Sequence, residues 1–314
     1  MKIGIVGAGA MGCVYAALMA DAGNEVWAID TWRTHIDAIA SDGLRLDGAS
    51  GDRTVAIGAT SDPATVGPCD LVIIATKAAQ VEAAATGARA LLGPETPVLT
   101  IQNGLGSAAK VARILGQERV VIGVVGGFGA SIVAPGHAHH NGMELVRLGE
   151  ANGAVTPRLK RIAAVWQGAG FTVKCFDDID QLVWEKLVCN VCFSGTATLT
   201  GLTVGEIIAD ADAWPIASGC AREAYQVAHV KGIRLDFDDP VAYVRDFGAK
   251  IPGARPSMLL DHLAGRRSEI DAINGAIPPE ALALGLEAPY NTLVSALVRA
   301  KESGFDALQQ QEQA

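Results

Sequence analysis

Six residues near the start of the chain restrict its fold more than any other feature. Gly7-Ala8-Gly9-Ala10-Met11-Gly12 fits the spacing G-x-G-x-x-G. It follows Lys2–Val6, a short apolar run suited to a buried strand. From Met11 to Ala22 apolar residues fall at helical spacing (Val14, Ala17, Leu18), and Gly23 ends the run. A second apolar run, Glu25–Asp30, closes on an acid eighteen residues after Gly12. The order is strand, glycine turn, helix, strand, acid. Gly7 permits a tight turn, Gly9 lets backbone approach a pyrophosphate, and Gly12 lets helix and strand pack closely. Ala8, Ala10 and Met11 bring their N–H groups to the helix N-terminus, where partial positive charge favours phosphate. Asp30 would accept hydrogen bonds from a ribose. A purely structural βα turn leaves the joint spacing of glycines and acid unexplained, so the stretch implies dinucleotide binding.

Composition narrows the remaining classes. At 314 residues, half hydrophobic and 19% charged, the chain can bury the cores of two domains. A net charge of −9 argues against nucleic acid or an anionic membrane as a partner. The glycine motif begins at residue 7, which leaves no room for a signal peptide. The uncharged stretch Val120–Gly136 holds five glycines and Pro135, and is read as strand and turn, not as a membrane span. Six cysteines include Cys189-x-x-Cys192, a spacing with no second pair and inside a helical pattern. They read as reduced, buried thiols in a cytoplasmic protein. His137-x-His139-His140 follows the turn signal Pro135-Gly136 and reads as a loop entering a strand, with no metal expected. A homodimer is compatible with the sequence.

Further along, Thr34–Ala40 reads as a short helix and Leu44–Ile57 as a hairpin turning at Gly48–Asp52. Asp70–Ala75 is a fully apolar strand of the kind a parallel sheet buries on both faces, with Thr76-Lys77 at its carboxyl end. Gln80–Leu92 is an alanine-rich helix. Pro97–Ile101 is a strand followed by Gln102-Asn103-Gly104. Ser107–Leu115 is helical; Val120–Val125 and Met143–Leu148 are strands; Pro157–Gly168 is a helix and Phe171–Phe176 a last strand. This alternation predicts an α/β fold, a Rossmann-type doubly wound sheet. From Asp178 onward the pattern is helical: Asp180–Leu199, Asp212–Lys231, Pro240–Phe247, Met258–Leu263, Glu269–Ala276, Pro279–Leu284 and Tyr290–Ser303. The expected division is a dinucleotide-binding domain over 1–177 and an all-helical substrate and catalytic domain over 178–314.

Three groups of residues can carry chemistry. In open α/β sheets ligands sit beyond the carboxyl ends of strands, where Lys77 and Asn103 fall; a solvated lysine and a plain Asn-Gly turn are the bland alternatives. On Asp180–Leu199, Lys186, Asn190 and Ser194 lie four apart, a polar stripe among Trp184, Leu187, Val188, Val191 and Phe193. Burying an unpaired lysine is costly, so this stripe reads either as a surface line or as a proton donor facing a cleft. The third group is Ser257, Asp261, Glu269, Asp271 and Asn274-Gly275, read as two short helices joined by Arg266-Arg267. Asp261 and Asp271 are expected to be helix-surface acids or internal salt-bridge partners of these arginines, and Ser257 to cap a helix or to bind a ligand.

Taken together these pieces resemble the ketopantoate reductase (2-dehydropantoate 2-reductase) family. The match rests on Gly7-x-Gly9-x-x-Gly12, Thr76-Lys77-x-x-Gln80, Gln102-Asn103-Gly104, Trp184-x-Lys186-x-x-x-Asn190, Ser257-Met258-x-x-Asp261 and Glu269-Ile270-Asp271-x-Ile273-Asn274-Gly275, in that order. The resemblance implies reduction of a 2-oxo acid by NADPH in a cleft between a Rossmann and a helical domain, within pantothenate biosynthesis. It implies Lys186 as the catalytic lysine and Glu269 as an acid near the reacting centre. It implies Asn103 and Asn190 as holders of cofactor and substrate, and Ser257 as the binder of the substrate carboxylate. Ser194, Val204 and Ala254 stand where the family tends to have asparagines that recognise substrate. Asp30 also departs, since an acid there repels a 2′-phosphate and tilts NAD(P)H use toward NADH, with Arg33 close enough in sequence to offset it.

Lys186 is therefore expected to act as general acid toward the developing alkoxide, which requires its pKa to move down from about 10.4. A dehydrogenase for a different hydroxy or oxo acid, and a non-catalytic NAD(P) sensor, are the alternatives the same fold allows.

Overall fold

The computed structural model describes residues 1–127, 129–142 and 145–312, with backbone alone for 306–312. Two compact units divide the chain: Met1–Gln102 with Ser107–Ile179, and Asn103–Gly106 with Asp180–Ala314. The sequence placed its boundary near 177 and left 103–106 with the first domain; those four residues join the second because Gly104 and Leu105 lie against Ala272.

The first unit contains strands β1 (Lys2–Val6), β2 (Glu25–Ile29), β3 (Leu44–Gly48), β4 (Arg53–Val55), β5 (Gly58–Thr60), β6 (Leu71–Ile74), β7 (Val98–Thr100), β8 (Val120–Val125), β9 (Gly129–Ala134), β10 (His137–Gly142), β11 (Leu145–Glu150) and β12 (Thr172–Phe176). Its helices are α1 (Ala10–Asp21), α2 (Arg33–Asp42), α3 (Val81–Ala88), α4 (Ser107–Leu115) and α5 (Pro157–Gly168). Eight strands form one sheet in the order β12-β11-β8-β7-β6-β1-β2-β5. From β1 the chain runs outward to β2 and β5 on one side and to β6, β7 and β8 on the other. The carboxyl end of β1 is thus the switch point at which such sheets bind ligands. All pairs are parallel except β11 with β8.

Alternation along β6 shows why the central strands are apolar throughout. Leu71 and Ile73 enter the core that includes Val14, Leu18 and Trp166, while Val72 and Ile74 enter the core on the opposite face with Val81, Leu91 and Val111. A strand covered on both faces has no side left for polar residues. Tyr15, Trp166 and Phe171 meet edge to face, with Tyr15 and Trp166 centroids 4.9 Å apart.

A second sheet, β4-β3-β10-β9, was read in the sequence only in its β3–β4 half. Leu44–Ile57 supplies the expected hairpin, and Val120–Gly136 yields the two strands β8 and β9. But His137–His140 lies within a strand, parallel to β3, and does not form the expected loop. Its polar, histidine-rich character hid it. Asp47 on β3 provides the compensation, lying 2.9 Å from His137 Nε2 and 2.5 Å from His139 Nδ1. Met143 and Glu144, the start of the expected strand Met143–Leu148, lie outside the described residues; the remainder is β11.

The second unit comprises α6 (Ile179–Thr200), α7 (Val204–Ala209), α8 (Ala213–Val230), α9 (Pro240–Ala249), α10 (Ser257–Leu263), α11 (Ile277–Ala283) and α12 (Pro289–Glu312). The short α7 was missed, although Thr203 and Glu206 form a capping box at its start. Glu269–Ala276 is not the expected helix: it is a run of turns ending in a 3-10 turn at Asn274–Ala276. Helix α6 is held by a buried amide network. Asn274 donates to Val191 O and Asn291 Oδ1, and Asn291 donates to Cys220 O and Glu223. Asn274 is fully buried, so that part of the sequence motif is structural. Among the described residues no helix is long and apolar enough to cross a membrane.

Candidate active site

The three motif glycines turn out to have different tasks. Gly7 has φ +103°, and a Cβ there would lie 2.6 Å from Thr76 N. A Cβ on Gly12 would lie 1.9 Å from Gly7 O, so helix and turn touch only because it is glycine. Gly9 is exposed, with nothing within 4 Å of where its Cβ would stand. Packing requires Gly7 and Gly12; it does not require Gly9, which leaves open backbone at the start of α1. That open cradle fits a dinucleotide pyrophosphate. Ala8, Ala10, Met11 and Gly12 surround it.

Asp30 follows β2, as expected, and is held by the loop itself. Ala8 N–H donates to its Oδ2 at 2.7 Å and Trp32 N–H to its Oδ1 at 3.0 Å. Behind it His35 is fully buried, with Nδ1 accepting Gly136 N–H at 3.1 Å and Nε2 lying 3.3 Å from Cys13 Sγ. Burial pushes the His35 pKa below the ordinary histidine value, against the opposing pull of Asp30 and of a bond to the Ala8 backbone. Neither His35 nor Trp32, which stacks on it at 4.7 Å, was singled out in the sequence. An aromatic within three residues of the acid was the available signal. Lys77 is exposed at the end of β6 beside Thr76, whose buried Oγ1 has no partner among the described residues. Gln102 clamps that turn, donating to Ile74 O at 2.7 Å and Thr76 O at 3.1 Å.

The second unit holds the other group. Asn103 Nδ2 donates to Glu269 Oε2 at 3.4 Å. Leu105 N–H donates to Ala272 O at 2.8 Å, and a Cβ on Gly104 would lie 1.9 Å from that same oxygen. With φ +82°, Gly104 is the residue that lets the 103–106 turn lie against 269–272. These contacts place the Asn103 turn in the helical unit. Glu269 is 9% exposed. On α6 the polar stripe runs inward: Lys186 and Asn190 are half-buried, and Ser194 is 5% exposed between Phe193 and Gly195.

Ser257 is not an N-cap. Pro256 takes that position, and Ser257 is the exposed first residue of α10 with no capping bond. Its hydroxyl is thereby left for another use. Asp261 pairs with Arg266 at 3.1 Å, as expected, whereas Asp271 pairs at 2.6 Å with Arg299, an arginine the sequence did not single out. Val204 and Ala254 are neighbours, the N–H of one donating to the carbonyl of the other at 3.0 Å. Among the described residues no three His, Cys, Asp or Glu side chains are grouped as a metal ion would need.

A Rossmann-type sheet with an open glycine cradle at its switch point, followed by a helical unit with a half-buried lysine and asparagine one turn apart, defines a dinucleotide-dependent oxidoreductase. The comparisons agree. Residues 3–153 match the family model described as ketopantoate reductase PanE/ApbA, and residues 178–302 match its C-terminal counterpart. The chain belongs to the ketopantoate reductase family and is a nicotinamide-dependent oxidoreductase. It is 30% identical to a 2-dehydropantoate 2-reductase of Pyrococcus horikoshii, covering 96% of this chain and 98% of that one. A PanE/ApbA family ketopantoate reductase from Ralstonia eutropha JMP134 superposes with TM-score 0.89 at 32% identity, over 98% of this chain and 100% of the other. A D-mandelate dehydrogenase in a ternary structure with NADH and anilino(oxo)acetate superposes with TM-score 0.90 at 28% identity, over 98% and 99%.

Proposed function

We propose that this chain reduces a 2-oxo acid to the 2-hydroxy acid, with NADH preferred over NADPH. The reading is carried by the Asn103–Glu269 pair, which sits in the same unit as the half-buried Lys186 and Asn190. A reduced nicotinamide, when bound, supplies the hydride. The chain's residues do the rest. Gly9 to Gly12 offer N–H groups to the phosphates, those of Gly7 and Ala8 being taken by Ile29 O and Asp30, and Lys77 adds a positive charge at the end of β6. Lys186 donates the proton to the ketone oxygen as it becomes an alkoxide. Asn103 and Asn190 orient the reactants by their amides, and Glu269 fixes Asn103. Ser257, free of a capping role, receives the substrate carboxylate. Ser194 ends the polar line at its buried side.

Val204 and Ala254 offer no side-chain hydrogen bond where relatives tend to carry asparagine. A substrate hydroxyl brought against apolar groups loses its water partners without replacement. The preferred oxo acid therefore carries an apolar substituent. That the D-mandelate dehydrogenase structure holds anilino(oxo)acetate, whose substituent ends in a phenyl ring, supports this direction.

For the cofactor, Asp30 is pinned by two backbone donors and cannot swing away without leaving them unpaired. A 2′-phosphate beside it meets like charge: at roughly 4 Å and an effective dielectric near 20, each unit pair costs about 4 kcal/mol before screening and relaxation. Even a quarter of that shifts preference several-fold. The test is kcat/KM for NADH and NADPH over a panel of 2-oxo acids, for wild type and Asp30→Ala. The expected result is an NADH preference of several-fold that the variant loses. A strong wild-type preference for NADPH refutes the cofactor assignment. Activity on 3-hydroxy acids alone, or cofactor binding without turnover, refutes the reaction.

A further inference from the structure

Beyond the residues that meet substrate or cofactor, one buried carboxylate collects contacts from two segments of the proposed reacting group. Glu302 on α12 is 5% exposed. Its Oε1 accepts Ser268 N–H at 2.7 Å and Ser268 Oγ–H at 2.5 Å, and lies 3.0 Å from His262 Nε2. An ionised carboxylate only accepts, so His262 donates through Nε2. The side chain is 2% exposed, its Nδ1 has no partner among the described residues, and Phe305 packs edge-on against it at 4.9 Å. His262 lies five residues after Ser257 on α10, and Ser268 immediately precedes Glu269.

We infer that Glu302 is a positioning residue: its carboxylate ties α10, which presents Ser257, to the Ser268–Ala272 turn, which presents Glu269 and through it Asn103. The tie matters because it joins the turn to α10 immediately beside Glu269. Residues 266–273 have no regular helix, and the Glu269 carbonyl accepts from Ala272 N–H and Ile273 N–H further along the turn. The upstream side is fixed by Ser268 on Glu302. The downstream side is fixed by the Asn103 turn, through Leu105 N–H on Ala272 O. Three donors on one oxygen make charge-assisted bonds, stronger and more directional than neutral ones. A merely apolar contact at this place would fill space without setting the angle at which Glu269 leaves the turn. The inference rests on the proposed roles of Glu269 and Ser257 for its functional consequence, but not for the tie itself.

The experiment therefore has two arms. Amide hydrogen exchange over residues 266–274 reads the tie, in wild type, Glu302→Gln, Glu302→Met and Ser268→Ala. Steady-state kinetics with a 2-oxo acid reads the consequence, for Glu302→Gln and Glu302→Met alone and combined with Glu269→Gln. Glu302→Gln keeps the shape and removes the charge, so a readout remains if Glu302→Met does not fold. Expected are exchange at least ~10-fold faster in the turn and kcat lower by about 10-fold, with the NADH dissociation constant within about twofold of wild type. In the Glu269→Gln background the same substitutions then change kcat by less than about twofold, because coupled residues are not additive. Unchanged exchange in both Glu302 variants overturns the tie. Faster exchange with a kcat loss that adds in full to that of Glu269→Gln overturns the positioning role. Wild-type protein inert toward every 2-oxo acid contradicts the proposed function instead, and the exchange arm still decides the tie.

Discussion

In the proposed function the glycine loop of the first unit and the Glu269 turn of the second both hold polar groups ready for a ligand, and they do so by opposite means. The loop uses backbone. Its N–H groups are aimed by the turn after β1 and the start of α1, all within six consecutive residues. The turn uses side chains. Asn103, Lys186, Asn190, Ser257 and Glu269 come from segments scattered over more than half the chain. A backbone device tolerates variation in its side chains but forbids a Cβ at chosen points. A side-chain device tolerates variation in its backbone but depends on buried ties such as Asn274–Asn291 and Ser268–Glu302.

The comparison breaks most sharply at the glycines. Gly12→Ala forces a Cβ against Gly7 O, and overpacking of that kind costs about 1–3 kcal/mol or more. For a unit of this size each kcal/mol lowers Tm by roughly 2–4 °C. Gly9→Ala meets nothing in the protein and its φ of −68° suits alanine, so Tm stays unchanged while the NADH dissociation constant rises at least ~10-fold from lost pyrophosphate approach. Differential scanning calorimetry with titration calorimetry separates the two. A Gly9→Ala protein that binds NADH normally would remove the open cradle from the cofactor site.

In the second unit the matching substitution is Gly104→Ala. It places a Cβ on Ala272 O at a residue with φ +82°, and so displaces Asn103 from Glu269. The expected outcome is a fall in kcat of about 10-fold, as misplaced reactive groups produce, with Tm of the first unit untouched. Wild-type kcat in that variant would show that the Asn103–Glu269 pairing plays no part in turnover.

This difference in means also explains what the sequence made legible. Gly7 to Gly12 and Asp30 could be read because the device is local and glycine is its only solution. The central strands could be read because burial on both faces excludes polar residues. Lys186 and Asn190 showed as a stripe at helical spacing, yet their company with Asn103 and Glu269 was carried only by family resemblance. The Glu269–Ala276 turn was misread as a helix because Ile270 and Ile273 fall at a helical interval while serving as core plugs in an irregular segment. The strand β10 was missed because its histidines are paid for by Asp47, ninety residues earlier in the chain. Nothing local signals such a partner.

A smaller effect sharpens the contrast by pH. His35, beneath the glycine loop, has its pKa lowered chiefly by burial, as does His140 in the second sheet of the same unit. A base held neutral when folded but free to protonate when unfolded contributes stability that is present above its ordinary value near 6.5 and is lost as pH falls through the folded pKa. Acidification below about 6.5 should thus lower the Tm of the first unit, and His35→Gln should flatten that slope. A slope identical in wild type and variant would locate the sensitivity elsewhere.

The central claim is a division of labour: one unit binds the dinucleotide and the other carries the proton donor. Lys186→Ala tests it most directly, by measuring the NADH dissociation constant and the single-turnover rate of NADH oxidation with a 2-oxo acid on the same protein. The account predicts NADH binding within about twofold of wild type and a rate lower by about 10²-fold or more, as loss of a general acid produces. A near-wild-type rate, or a loss confined to NADH binding, would contradict it.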